Sequence, residues 1–442
     1  FRWKIVDAQR ASGARSIATG SGIMARLIYT LIFYLASPLI LFRLLWRARK
    51  QPEYLQHLGE RLGFYGSPPK QPLIWVHAVS VGETRAAQPL IDALRAAWPD
   101  HGILLTCMTP TGRAAGREVY GESVIQAFLP YDMPLAVNRF FRHFSPKFGV
   151  LMETEIWPNL LAAANQRSVP VVLANARLSA RSARGYGRIA ALARPAIATL
   201  SAVAAQTQAD AERLSALGAA HVVICGNIKF DVSPVPEKLE LGKSWRSSIG
   251  GRQVWLAAST REGEEQLVLA AWRSLALPSA LLILVPRHPQ RFAEVAELLA
   301  GEGVSYIRRS AGLPEAGTQV WLGDSMGEMV AYYACADFAF IGGSLLPLGG
   351  QNLIEAAGCA CAVLVGPHTF NFTQATEDAI TAGAARRVVD AADLGLQARQ
   401  LSSNKTELVA MRHAAIEFAA AHRGATARTL TLIQRVTGRA GC

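Results

Sequence analysis

No two of the six cysteines are spaced C-x-x-C, and no His or acid cluster accompanies the one close pair, Cys359-Ala-Cys361. That spacing speaks against both a zinc ribbon and a disulfide framework. Most of the cysteines sit in apolar or segment-end contexts, where a free thiol packs as a small hydrophobe, so the body reads as one for a reducing compartment. Charge is scarce as well. Charged residues make up 18% and apolar residues 51%, a balance that excludes wholesale disorder. No G-x-G-x-x-G follows the first apolar run, which counts against dinucleotide binding. There is no D-x-D pair to hold a metal between phosphates, and neither a metal nor a cofactor is expected. Basic patches interleaved with aromatics are also missing from the body. Lys and Arg number 45 against 33 Asp and Glu, a net +12, but residues 1–50 hold nine of the bases and a single acid, Asp7. They supply +8, leaving +4 for the other 392 residues, so no nucleic-acid partner is expected.

The charge at the start brackets one long apolar run, Leu27 to Trp46, broken only by Pro38 and Arg43. About 20 residues at ~1.5 Å each match a hydrocarbon layer of ~30 Å. Arg47, Arg49 and Lys50 follow the run, where a cleavable signal would carry small residues, so the segment reads as an anchor with the body on the cytoplasmic side. A helix lying in the membrane interface, or packed on the body, is the alternative. Residues 1–23 read as an unstructured leader ahead of Met24, and 24–50 as the anchor.

Length allows two further domains. After Pro68-Pro69, short apolar runs alternate with helix-like stretches, at 72–78, 102–107, 124–129, 147–152, 169–174, 199–205 and 221–225. A Pro-containing linker near Asp231 interrupts, and a second series follows at 253–258, 279–285, 304–307, 319–322, 337–341, 361–365 and 386–389. Such alternation means βαβ units and parallel sheets. The expected architecture is α/β, with two Rossmann-like domains, 51–232 and 233–442, facing across a cleft. Residues 405–437 read as one long closing helix of the second domain.

Ligands of such folds sit beyond the carboxyl ends of the strands. There the first domain offers Ser80-Val81-Gly82-Glu83 and Met152-Glu153-Thr154-Glu155-Ile156-Trp157-Pro158-Asn159. Glu83 suits either a helix-start acid or a cleft acid. Glu153 directly follows a strand and needs a cleft for solvation, whereas Glu155 better fits a helix start. The second domain offers Pro286-Arg287-His288-Pro289, where Arg287 can fork onto a phosphate or carboxylate. It also offers Gly342-Gly343-Ser344 and Gly349-Gly350-Gln351-Asn352-Leu353-Ile354-Glu355. Glycines there let backbone N–H groups approach a phosphate, and Glu355 can accept from a ribose hydroxyl pair. Together these describe a nucleotide site opposite an acid.

In this order the motifs closely resemble the Kdo (3-deoxy-D-manno-octulosonic acid) transferases of Gram-negative lipopolysaccharide synthesis. The resemblance runs from residue 24 to about 430. It includes Gly59 to Tyr65, His77 to Thr84, Thr109 to Gly112, Met152 to Asn159, Ala174 to Ser179, Gly226 to Asp231, Pro286 to Pro289, Gly323 to Glu328, Gly342 to Glu355 and Gly366 to Phe372. Gln351-Asn352-Leu353-Ile354 stands where some relatives carry His-Asn-Pro-Leu, which leaves Asn352 and Glu355 in place. The resemblance implies a GT-B fold, a CMP-Kdo donor, a lipid A precursor acceptor and a bacterial inner-membrane location. It implies Glu83 as general base and Glu153 as a second active-site acid. It assigns Pro286, Arg287, Met326, Gly327, Glu328, Asn352, Leu353, Ile354 and Glu355 to the CMP pocket. The chemistry then points to Arg287, Lys229 and the Gly343 and Ser344 region as stabilisers of the departing phosphate. Read from the glycine-rich turn and Glu355 alone, a UDP-sugar transferase or epimerase stays open, as does a membrane-docked nucleotide sensor.

Overall fold

All fourteen apolar runs form strands. The first seven are β1 (Leu73–His77), β2 (Gly102–Cys107), β3 (Ile125–Phe128), β4 (Phe148–Met152), β5 (Val171–Ala176), β6 (Ala202–Ala205) and β7 (Val222–Ile224). They pair in parallel in the order β3-β2-β1-β4-β5-β6-β7. The second seven are β8 (Val254–Thr260), β9 (Leu281–Pro286), β10 (Tyr306–Arg308), β11 (Val320–Leu322), β12 (Phe338–Ile341), β13 (Ala362–Val365) and β14 (Ala385–Arg387). They too are parallel, ordered β10-β11-β9-β8-β12-β13-β14. This computed structural model describes residues 18–49, 51–275, 277 and 279–438.

Helices cover both faces of each sheet, which is why the strands are apolar throughout rather than alternating. In β1, Leu73 and Trp75 enter one core cluster while Ile74 and Val76 enter another. That is the period-two split expected of a strand buried on both faces. Each sheet has a switch point, between β1 and β4 in the first and between β8 and β12 in the second. The chain leaves those two strands in opposite directions, and their carboxyl ends open a crevice.

The chain divides into two compact units. One runs to Asp231 and regains the chain at Arg423; the other is Val232–His422. The carboxyl-terminal stretch, expected to close the second domain, belongs from Arg423 onward to the first unit. The stretch read as one helix is two, Lys405–Ala421 and Ala425–Val436. The break is at Gly424, which takes φ 91°, a left-handed conformation that costs glycine little. The last helix packs on the first sheet, where Leu432 and Ile433 join the core beside Ile74 and Val76. The Asp231 carboxylate accepts from the backbone N–H groups of Gly424 at 2.6 Å and Thr426 at 2.5 Å, supplying the cap that this helix lacks locally. The amino-terminal expectation also shifts. Residues 1–17 of the leader lie outside the described residues, and residues 18–23 already belong to the helix Ala18–Ala48.

Asp231 thus ties the two ends of the first unit together. Asp231→Ala should lower the unfolding free energy of that unit by about 1–3 kcal/mol, because two helix-start donors lose a charged acceptor. Urea unfolding followed on the first-unit tryptophans checks this; an unchanged midpoint would place the tie in apolar packing alone.

Candidate active site

Beyond β1 the chain turns at Ala78-Val79-Ser80 into the short helix Val81–Ala86. Ser80 caps it, accepting from Glu83 N at 3.3 Å, while its hydroxyl donates to Glu83 Oε1 at 2.8 Å. Val79 N donates to Glu83 Oε2, also at 2.8 Å. This is a variant of the capping box, in which the acid reaches back to the donors ahead of the helix. It fixes the half-buried Glu83 carboxylate while each oxygen keeps a further lone pair. Burial raises its pKa above the usual carboxylate range and the Glu153 charge adds to the rise; Val79 N–H, Ser80 O–H and Lys229 oppose it.

Glu153 follows β4, the neighbour of β1, and takes φ 60°. Left-handed backbone is costly for such a residue and collects at functional sites. Its carboxylate meets Lys229 Nζ at 2.8 Å. Lys229 lies on the turn Ile228–Asp231, which the end of β5 holds: Asn175 Oδ1 accepts from Ile228 N at 3.0 Å. Asn175 itself has φ 52°, so two adjacent strand ends carry strained residues around one ion pair. The first unit therefore gathers Glu83, Glu153 and Lys229; the strand-end reading pointed to the two acids, whereas Lys229, expected beside the departing phosphate, is paired with Glu153 here.

Glu155 behaves differently from its expected role. The helix after it starts at Pro158, and the donors at its start, Asn159 N and Leu160 N, go to the buried Asp132 carboxylate at 3.0 and 2.8 Å. Glu155 instead accepts from the Trp157 indole N–H at 2.8 Å and lines a cavity of about 300 Å³ with Tyr29, Trp157, Tyr186, Ile189 and Leu192. Burial first, then the Glu83 charge, push its pKa up to about 7, against the Trp157 hydrogen bond. The signal in the sequence was Trp157-Pro158, whose proline marks the first helical turn and leaves Glu155 outside it.

In the second unit, β9 ends at Pro286, and Arg287 N donates to Thr260 O of β8 at 2.9 Å. Arg287 and Glu355 both act on the buried Tyr333 hydroxyl: burial raises its pKa most, Glu355 adds to the rise and Arg287 opposes it. Arg261, directly after β8, was missed, although the strand-end rule points to it. With Arg287 and Arg291 it surrounds His288, whose pKa falls through burial and then these three cations. This positive end of β8 and β9 suits a phosphate. Met326 is exposed, Gly327 has φ 76°, and Glu328 is held by Arg309 at 3.2 Å and Ser325 at 2.5 Å. Asn352 Oδ1 accepts from Ile354 N at 3.1 Å. Leu353 and Ile354 point into the core, so only their backbone can face a ligand.

Gly343 and Ser344 are corrected. The Gly343 N–H donates to the buried Glu264 at 2.5 Å, and Leu345 N donates to the same carboxylate at 3.1 Å. Ser344 donates to Ile341 O and accepts from Gly366 N at 2.8 Å. The Gly343 N–H and the Ser344 hydroxyl are thus spent on shaping the loop. Gly342 is needed for space, since a Cβ there would lie 2.4 Å from Ser259 O.

Residues 56–232 match the family described as 3-Deoxy-D-manno-octulosonic-acid transferase (kdotransferase). The chain is 46% identical over 429 residues to the 3-deoxy-D-manno-octulosonic acid transferase of Bordetella pertussis, covering 93% of this chain and 99% of that one. It is 40% identical over 424 residues to the enzyme of the same name from Haemophilus influenzae, covering 93% and 98%. Among solved structures, a glycosyltransferase from Rickettsia africae aligns with TM-score 0.57 at 14% identity, over 83% of this chain and 99% of that one. The UDP-GlcNAc 2-epimerase of Neisseria meningitidis aligns with TM-score 0.59 at 15% identity, over 82% and 100%. At that identity the structural likeness speaks for the fold, which is of the GT-B type.

Glu155 supplies a test of the site's electrostatics. Its folded pKa of about 7 lies above its unfolded value, so the folded state binds the extra proton and stability falls as pH rises from about 4.5 to 7. Glu155→Gln should remove that slope and make the variant more stable than the parent at pH 8. Urea unfolding at pH 5 and pH 8 measures it; equal slopes in both proteins would mean that Glu155 is ionised throughout.

Proposed function

Because this chain belongs to the 3-deoxy-D-manno-octulosonic acid (Kdo) transferase family, and is therefore a glycosyltransferase, we propose that it moves Kdo from CMP-Kdo to a lipid A precursor of the lipid IVA type. The reaction is a single displacement. An acceptor hydroxyl oxygen attacks the anomeric carbon, its proton passes to Glu83, and the bond to the CMP phosphate breaks with its electron pair leaving on the phosphate. One displacement inverts the anomeric centre.

The observation that carries this reading is the half-buried Glu83 carboxylate at the β1–β4 crevice, fixed by two donors and tuned by Glu153 and Lys229. A base with a raised pKa receives a proton more readily. The Glu153–Lys229 pair keeps a cation beside two acids, and that cation opposes the rise in the Glu83 pKa. On the donor side, Arg287 and Arg261 offset the phosphate charge as it leaves. Glu355 accepts from the ribose, Asn352 holds the turn, and Pro286 with Met326 to Glu328 gives a surface for the cytosine face. Two cations flanking a monophosphate supply what a metal supplies to a diphosphate, so the proposed chemistry needs none. Anionic headgroups suit the basic flank of the amino-terminal helix, and we place the enzyme at the inner membrane, facing the cytoplasm.

Purified protein given CMP-Kdo and lipid IVA, with EDTA present, should yield a product heavier by whole Kdo residues in mass spectrometry. Glu83→Gln should keep CMP binding but transfer roughly 10²–10⁴-fold more slowly. Wild-type turnover in that variant would move the base elsewhere, and a product only when metal is restored would overturn the metal-free scheme.

A further inference from the structure

The helix Ala18–Ala48 is 31 residues long and apolar enough to cross a bilayer. Its contacts point to another arrangement. Gly22, Tyr29, Phe33, Ile40, Leu44 and Ala48 are buried or half-buried, and their spacings are those of one helical stripe. Leu27, Leu31, Leu35, Leu39, Phe42 and Trp46 stand exposed on the other side, Leu35 at 73%. The covered stripe touches the first unit near both ends and in the middle. A Cβ at Gly22 would lie 2.8 Å from Pro195 Cγ in the helix Ala190–Ala198. At mid-helix, Tyr29 donates to the buried Asp132 carboxylate at 3.0 Å, Thr30 and Asn159 are hydrogen-bonded, and Phe33 packs near Tyr131. Toward the far end, the Arg47 guanidinium lies 5.7 Å from the Tyr54 ring.

From Gly22 to Ala48 the covered stripe is about 39 Å long, longer than the ~30 Å hydrocarbon layer. A spanning placement would draw Asp132, Asn159 and the helix ends around them into lipid, where such groups are costly. The outer face, by contrast, is a continuous apolar strip with bases beside it. Arg43, Arg47 and Arg49 lie exposed at its end, and Arg181, Arg184 and Arg188 lie exposed along the helix Ala180–Arg188, which leads into the helix that Gly22 touches. Exposed arginines beside an apolar face complement an anionic leaflet.

We infer that this helix does not cross the membrane but lies in the plane of one anionic leaflet, its outer face in lipid and its inner face part of the first unit's fold. The inference does not depend on the identity of the sugar or the acceptor. It also makes the membrane element a structural neighbour of the active-site acids, since Tyr29 lines the Glu155 cavity and binds the carboxylate that starts the helix after Glu155.

The test uses the full chain in sealed membrane vesicles, with Cys442→Ser and one added cysteine at a time, because Cys107, Cys225, Cys335, Cys359 and Cys361 are buried. Gly20→Cys and Arg49→Cys report the two ends of the helix, and Glu122→Cys reports the body. All three should react with a membrane-impermeant maleimide from the same side. Gly20→Cys reacting from the side opposite to Glu122→Cys would overturn the inference. A fluorophore on Leu35→Cys gives an independent reading of depth. Nitroxides near the lipid headgroup should quench it more than nitroxides near the chain ends; the reverse order would mean a spanning helix.

Discussion

Adjacent parallel strands whose chains leave toward opposite edges are what bring the chemistry together. β1 hands on to β2 on one side and β4 to β5 on the other, so nothing crosses above their shared carboxyl ends. Glu83 and Glu153 occupy those ends, and β5 adds Lys229 through Asn175. The second sheet repeats the device between β8 and β12, placing Arg261 beside the glycine-rich loop. Residues about 70 positions apart in sequence become neighbours for a topological reason, before any side-chain attraction acts.

Local interactions then set the properties of each group. Burial raises the pKa of both Glu83 and Glu155, and the charge of neighbouring carboxylates adds to the rise. One lysine and a few hydrogen bonds offset this unequally. Glu83 has Val79 and Ser80, Glu153 has Lys229 as a direct partner, and Glu155 has only the Trp157 indole. Burial, then the Glu83 charge, push the Glu155 pKa up to about 7 against that one hydrogen bond. Left-handed backbone at Glu153, Asn175 and Ser259, each at the end of a strand that borders or feeds a crevice, is the conformational cost of this placement.

The strands were legible because strands buried on both faces are short, apolar and rich in branched residues, a pattern that survives without knowledge of partners. Glu83, Glu153, Arg287 and Glu355 were picked from position, at strand ends, whereas Lys229 and Met326 to Glu328 entered only through the family resemblance. What could not be read depended on partners far away in sequence. Glu264 occupies the Gly343 N–H from 79 residues upstream, so the loop looked open to phosphate. Asp231 captures Gly424 across 193 residues, which turns an apparently continuous final helix into two that serve different units. Tyr29 meets Asp132 across 103 residues, and hydropathy alone cannot separate a helix laid along a protein from one that stands free of it.

The central claim is that a carboxylate at the end of β1 takes the acceptor proton and that the Glu153–Lys229 pair tunes it. The most direct measurement is the acid limb of the pH dependence of kcat/KM for Kdo transfer, in the parent chain and in Lys229→Met. Lys229 holds the Glu83 pKa down while Glu153 and burial hold it up. Losing the cation must therefore move the limb to higher pH, so that activity falls away earlier on acidification. A limb that stays in place in Lys229→Met, with residual activity still measurable, would contradict the account.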